Sequence, residues 1–102
     1  MASVHDFLES SPVATAAATL NLGGGRGVTV WENRDDRVSY EAPRGHAFSL
    51  YLAGGTGTRR LDGAGASGWP GAVCVFPDGQ SSEWEITTPF RFVHLYLPDD
   101  RL

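Results

Sequence analysis

The chain has 102 residues, a formal net charge of −4 and a pI of about 5.1, the size of one domain with a single modest core. With 8 Lys and Arg against 12 Asp and Glu and no basic stripe, it cannot neutralise a run of phosphates and is a poor nucleic-acid binder by itself. A single cysteine, Cys74, excludes a disulfide framework within the chain. Its place in the apolar run AVCVF predicts a buried, reduced thiol and a cytoplasmic setting.

Residues 1–25 read as a separate zone. VHDFLE has the spacing for one helical turn, SSPVATAAATL is small and weakly patterned, and GGG at Gly23 to Gly25 is flexible punctuation. This predicts an N-terminal arm, partly ordered at best. It has neither the positive flank of a signal peptide nor an apolar run of membrane length.

From Arg26 to the end the composition turns to β-branched and aromatic residues. GVTVWE is a strand and NRDD a turn. RVSYE alternates and stops at Pro43. HAFSLYL is a strong strand ended by AGGTG, and TRRLD a short one ended by GAGASG. After the turn WPG come the strand AVCVF, the turn PDG, the strand QSSEWEI, the break TTP and the strand FRFVHLYL, closed by PDD. Seven or eight short strands punctuated by Gly, Pro and Asp predict an antiparallel barrel or jelly roll rather than βαβ units.

Two strands have no wet face. In FRFVHLYL one side carries Phe90, Phe92, His94 and Tyr96, and the other Arg91, Val93, Leu95 and Leu97. In HAFSLYL one side carries His46, Phe48, Leu50 and Leu52, and the other Ala47, Ser49 and Tyr51. A sheet apolar on both sides must be covered on both. A barrel lumen covers one. If His94 and Tyr96 point inward and the two strands share a sheet, the six large side chains Val93, Leu95, Leu97, Phe48, Leu50 and Leu52 point outward and require either the arm or a second chain, which makes a homodimer an expectation.

The run GAVCVFPDGQSS places Gly71, Pro77 and Gly79 at a spacing that resembles the second conserved motif of the cupin superfamily. In that motif a histidine ligand follows the turn after two residues, and an Asn comes later. Here those positions are Ser82 and Ile86, and the two histidines and glutamate of the first motif are missing around TRRLDGAGASGW. The three histidines, His5, His46 and His94, lie far apart in sequence. The expectation is a cupin-like turn without its metal site, since a metal needs several protein ligands at short range. Glu83 and Glu85 flank Trp84 as its wet side, and no second group stands ready to make them an acid/base pair. Arg59, Arg60 and Asp62 read as a solvated strand and turn.

Taken together, LYL-x-GG, RRLDG, PG-x5-P-x-G and FxHLYL occur in the order of the N-terminal regulatory domain of AraC-family bacterial transcription regulators, which this chain resembles from Arg26 onward. The resemblance implies an all-β, cupin-like double-stranded β-helix (jelly-roll) barrel over 26–102. It implies a small-molecule effector held in the lumen without metal or other cofactor and without catalysis. It also implies that dimerisation helices and a helix-turn-helix domain lie outside this chain, so that DNA is reached only through them. The lumen would be lined by Trp84, Phe92, His94 and Tyr96, with Ser49 and Tyr51 facing them. Flat aromatic faces would hold the apolar part of a ligand, and hydroxyl and imidazole groups would orient it. Two other readings stand beside this one. One is a small metal-dependent cupin enzyme, an isomerase or dioxygenase. The other is a structural barrel, in which these aromatics are core residues and the lumen is filled by side chains.

Overall fold

The computed structural model describes residues 2–61 and 68–98. A short helix α1 (Val4–Glu9) is followed by eight strands: β1 (Thr15–Gly23), β2 (Arg26–Asn33), β3 (Asp36–Tyr40), β4 (His46–Gly54), β5 (Thr58–Arg60), β6 (Val73–Phe76), β7 (Ser82–Ile86) and β8 (Phe90–Leu97). The seven strands read from Arg26 onward are all present. The expectations for Asp62 and for most of GAGASG and of the closing PDD lie outside the described residues.

All pairings are antiparallel. One sheet has the order β1-β2-β8-β4-β6, the other β3-β7-β5. The two inner faces meet in a core of Trp31, Val38, Tyr40, Ala47, Tyr51, Phe76, Ile86, Phe90 and Phe92, to which α1 adds Val4 and Leu8. Strand β8 is the middle of the larger sheet. Its Phe90, Phe92 and His94 are buried while Arg91 and Leu95 are exposed, so the face predicted to line the lumen does point inward. On β4, Ala47, Ser49 and Tyr51 are buried and Leu50 and Leu52 exposed. The register pairs Ser49 with His94 and Phe48 with Leu95.

The expectation of a separate arm over residues 1–25 is corrected by two features. Ser3 caps α1: its hydroxyl accepts from the Asp6 amide at 3.2 Å, and the Asp6 carboxylate accepts from the Ser3 amide at 3.0 Å. Six residues are too few to hold a helix alone, and α1 persists because Val4 and Leu8, four apart on one face, are each only 1% exposed. The segment TAAATLNLG is an edge strand, β1, paired with β2 along its length. Gly24 and Gly25, both at positive φ (62° and 77°), make the two-residue hairpin turn that such pairing needs. What reads as flexible punctuation is the turn. β1 therefore widens the sheet and does not lie across it, so it cannot cover the outer face.

Cys74 also departs from expectation. It is half-buried rather than buried, because β6 is an edge strand of the larger sheet. Its sulfur lies 3.6 Å from the Tyr51 hydroxyl.

Two glycines separate close approach from backbone strain. At Gly54 (φ 70°) a Cβ would collide with the Pro89 carbonyl oxygen, whereas at Gly79 (φ 76°) it would meet nothing. Gly79→Ala should cost only the left-handed backbone penalty, about 1–2 kcal/mol. Gly54→Ala adds a clash that only backbone movement relieves, and should lose ~3 kcal/mol or more. Urea denaturation of the two variants checks this, and equal losses would remove the close approach as a cause.

Candidate functional site

Beyond its cupin-like spacing, the PDG turn is held by its neighbours. Gln80 donates to the Pro77 carbonyl at 3.1 Å, and the Gly79 amide donates to the Pro43 carbonyl at 2.7 Å. The Asp78 carboxylate accepts from the Gly45 amide, and the Asp78 amide donates to His46 Nδ1 at 3.0 Å. His46 is thereby committed to the turn. Ser82, in the position where the motif has histidine, is 6% exposed and its hydroxyl accepts from the Trp84 indole N–H at 3.0 Å. The side chain in the ligand position thus orients an aromatic wall. Among the described residues no group of three or more His, Cys, Asp or Glu side chains is placed to hold a metal ion.

Five of the six side chains proposed for the lumen converge there. Ser49, Tyr51, Trp84, Phe92 and His94 line one small cavity. The sixth, Tyr96, does not share it. Tyr96 lies one pleat further along β8, and its side chain borders a cleft of about 600 Å³ at the barrel mouth with Ser3, His5, Arg26 and His46. The Tyr96 hydroxyl connects the two places. It accepts from the Trp31 indole N–H at 2.8 Å and lies 3.0 Å from His94 Nδ1. Trp31 can only donate, so the Tyr96 oxygen accepts from the indole and shares a second hydrogen bond with the His94 ring. Above it His5 packs its ring on Trp31 and Tyr96, with centroids 5.3 and 5.4 Å away, and its Nδ1 is 3.3 Å from the Glu9 carboxylate.

Residues that sequence reasoning passed over complete the lumen: Leu8, Tyr40, Thr58, Phe76, Ile86 and Phe90. Phe90 shared the inward face already identified on β8. Alternation in RVSYE offered Tyr40, and the i, i+4 spacing of Val4 and Leu8 offered Leu8, once α1 is known to dock. Thr58 had no signal, as β5 is only three residues long. Its hydroxyl is the one buried side-chain polar atom among the described residues without a hydrogen-bond partner. The open space that remains is about 20 Å³, room for about one water. Aromatic edges fill the rest: Phe76 against Trp84 at 5.6 Å and His94 at 5.7 Å, and Phe92 against His94 at 4.9 Å.

Burial dominates the electrostatics. It drives the His94 pKa from 6.5 down to about 3, with the nearby charge of His5 adding to the fall. Burial likewise raises the phenols of Tyr40 and Tyr96. It raises Tyr51 too, helped by the hydrogen bond with Cys74. At neutral pH the lumen is uncharged: neutral imidazole, phenols and hydroxyls on an aromatic frame. Glu83 and Glu85 point away from it, paired with Arg37 and Arg59 on the neighbouring strands.

No family model matches the chain, and no curated protein matches it. Solved structures do. Ethanolamine utilization protein Q of Salmonella typhimurium aligns with a TM-score of 0.67 and 21% identity over 93% of this chain and 76% of its own. A cupin superfamily protein from Desulfitobacterium hafniense aligns at 0.67 and 18%, over 85% and 77%. A double-stranded β-helix protein from Klebsiella pneumoniae aligns at 0.67 and 18%, over 98% and 90%. At such identities the likeness establishes the architecture alone: an all-β barrel of the cupin, double-stranded β-helix kind.

The low pKa of His94 has a consequence for stability. Below pH 6.5 the unfolded chain protonates this histidine, while the folded chain does not until about pH 3. Stability from this group is thus complete above 6.5 and falls as pH drops through that window, by up to ~1.4 kcal/mol per pH unit. A His94→Gln variant, whose amide can still hydrogen-bond Tyr96 and does not titrate, lacks this slope. Urea unfolding at about pH 6.5 and about pH 5 should show the wild type losing ~2 kcal/mol more than the variant. Equal losses would mean that another group carries the pH dependence.

Proposed function

We propose that this chain is a small-molecule-sensing barrel, the regulatory domain of an AraC-type transcription regulator, which binds its effector in the lumen without metal and without catalysis. DNA would be contacted by a domain outside this chain. The regulator assignment rests on the order of the sequence elements LYL-x-GG, RRLDG, PG-x5-P-x-G and FxHLYL. The observation that carries the sensing role is the chemistry of the lumen. Thr58 Oγ1 is buried without a partner, and Ser49 and the His94 ring border the same small space. A barrel core selected only for stability gains by replacing such groups with apolar ones.

Pockets for organic ligands run to a few hundred Å³ (~300 or more), and about 20 Å³ is open with Leu8 in place. An effector must therefore displace Leu8. Helix α1 suits displacement, since it is short and anchored chiefly by Val4 and Leu8. Its withdrawal would carry the state of the lumen to the N-terminal segment and the mouth. The coupling equals the difference in effector affinity between the plugged and unplugged states. The nearly filled lumen favours a second reading, a structural barrel with no ligand, in which α1 is a permanent plug. A metal-dependent isomerase or dioxygenase has no comparable support, because the donor set such chemistry requires is not gathered among the described residues.

Thr58→Val separates the two readings. Removing a buried unsatisfied hydroxyl at nearly constant shape should stabilise the ligand-free protein by ~1 kcal/mol. Thermal denaturation and Trp31/Trp84 fluorescence are then followed with a panel of monosaccharides, small phenols and short carboxylic acids. On the sensing reading, at least one compound raises the wild-type melting temperature, and the rise shrinks in Thr58→Val. If no compound acts on the wild type or on Leu8→Ala, whose lumen is open, the structural barrel is the correct reading.

A further inference from the structure

The cleft of about 600 Å³ at the barrel mouth is walled by the start of α1, the β1–β2 hairpin, the segment entering β4 and the end of β8. Its charge runs against that of the chain. The molecule carries a formal −4, yet among the described residues Arg26 and Arg44 line the cleft and no Asp or Glu does. Carboxylates bordering these walls have partners of their own. Asp6 accepts from the Ser3 amide, Glu9 lies against His5, and Asp78 accepts from the Gly45 amide.

The neutral polar groups of the cleft are biased the same way, because their acceptor atoms are used inside the protein. The Ser3 hydroxyl oxygen accepts from the Asp6 amide at 3.2 Å, which leaves its proton to give. Asn21 Oδ1 accepts from the Gly23 amide at 2.8 Å, which leaves the NH2 group. His46 Nδ1 accepts from the Asp78 amide at 3.0 Å, so the ring proton sits on Nε2. Arg26 Nε donates to the Gly23 carbonyl at 3.3 Å, which anchors the guanidinium at the hairpin with both its NH2 groups left over. A guanidinium has five N–H donors, so an internal partner does not exhaust either arginine.

We propose that the mouth cleft binds a small phosphate monoester, at a site separate from the lumen. A surround of donors without acceptors selects an oxyanion over a cation or a polyol. Two guanidinium groups match the charge of about −1.5 to −2 that a phosphate monoester carries at neutral pH, and their planar forks suit its oxygens. Leu20, Leu97 and Pro98 give the organic body an apolar flank. The volume falls in the range of about 300–1,000 Å³ of small-molecule sites.

Titration of the full chain with phenyl phosphate, followed by two-dimensional nitrogen-15 NMR, tests this. Saturating shifts should appear at the amides of Asn21 to Gly27 and of Arg44 to His46. Arg26→Gln and Arg44→Gln should each weaken binding about tenfold or more with an unchanged far-ultraviolet circular dichroism spectrum. Arg59→Gln, which removes the same charge from the smaller sheet, should bind as the wild type does. Benzoate, with the same ring and a single charge, should bind about tenfold more weakly. The absence of saturating shifts up to about 10 mM phenyl phosphate overturns the proposal. So does a loss in Arg59→Gln equal to that in Arg26→Gln, which would mark a response to overall charge. Benzoate binding as tightly as phenyl phosphate would make this a carboxylate site and overturn the phosphate assignment.

Discussion

Strand β8 is hydrogen-bonded along both edges, to β2 on one side and β4 on the other, and the period of two in its side chains does the rest. A slip of one residue would turn Phe92 and His94 into solvent and drive Arg91 and Val93 into the core. Two neighbours oppose that slip at once. The Tyr96 hydroxyl adds a third restraint, bound to Trp31 across the strand pair and to His94 two residues back along its own strand. The lumen and the outer apolar rows are the two sides of this one register, and neither can change without the other.

Much of this was legible from alternation. That Phe92 and His94 share one face of β8, and Ser49 and Tyr51 one face of β4, follows from parity, which survives errors in strand ends; which face turns inward followed only from the family resemblance. Strand β1 escaped because TAAATLNLG has few of the β-branched and aromatic residues that mark strands, and every residue in it is exposed. It is a strand because β2 offers an edge and Gly24 and Gly25 turn the chain onto it, which is tertiary context rather than local propensity. Tyr96 escaped for a different reason. Parity tells which face a residue occupies but not how far along the barrel axis it lies, and two residues, about 7 Å, take it from the lumen to the mouth.

The serine at position 82 shows how a motif can keep its geometry and change its chemistry. The turn still presents a side chain inward from the start of β7, because Pro77 and Gly79 shape the backbone whatever follows. The hydroxyl that arrives there fixes an indole. With His46 held by the turn and His94 by Tyr96, each imidazole has an assignment within the protein. Similarity of fold to cupins of diverse description says nothing about which chemistry such a barrel performs.

Among the described residues, the β1–β2 hairpin is the one strand pairing whose members are neighbours in sequence. β2 must find β8, β4 must find β8, and β3 must find β7 across dozens of intervening residues. Each of those closures surrenders chain entropy before any contact is made. The hairpin has no such delay, yet it buries almost nothing by itself. The early-forming element is thus too weak to persist, and the strong element, β8 between its two partners, comes from the end of the described chain. Until Phe90 to Leu97 is in place, β2 and β4 have no strand between them, so the larger sheet cannot be joined into one without β8.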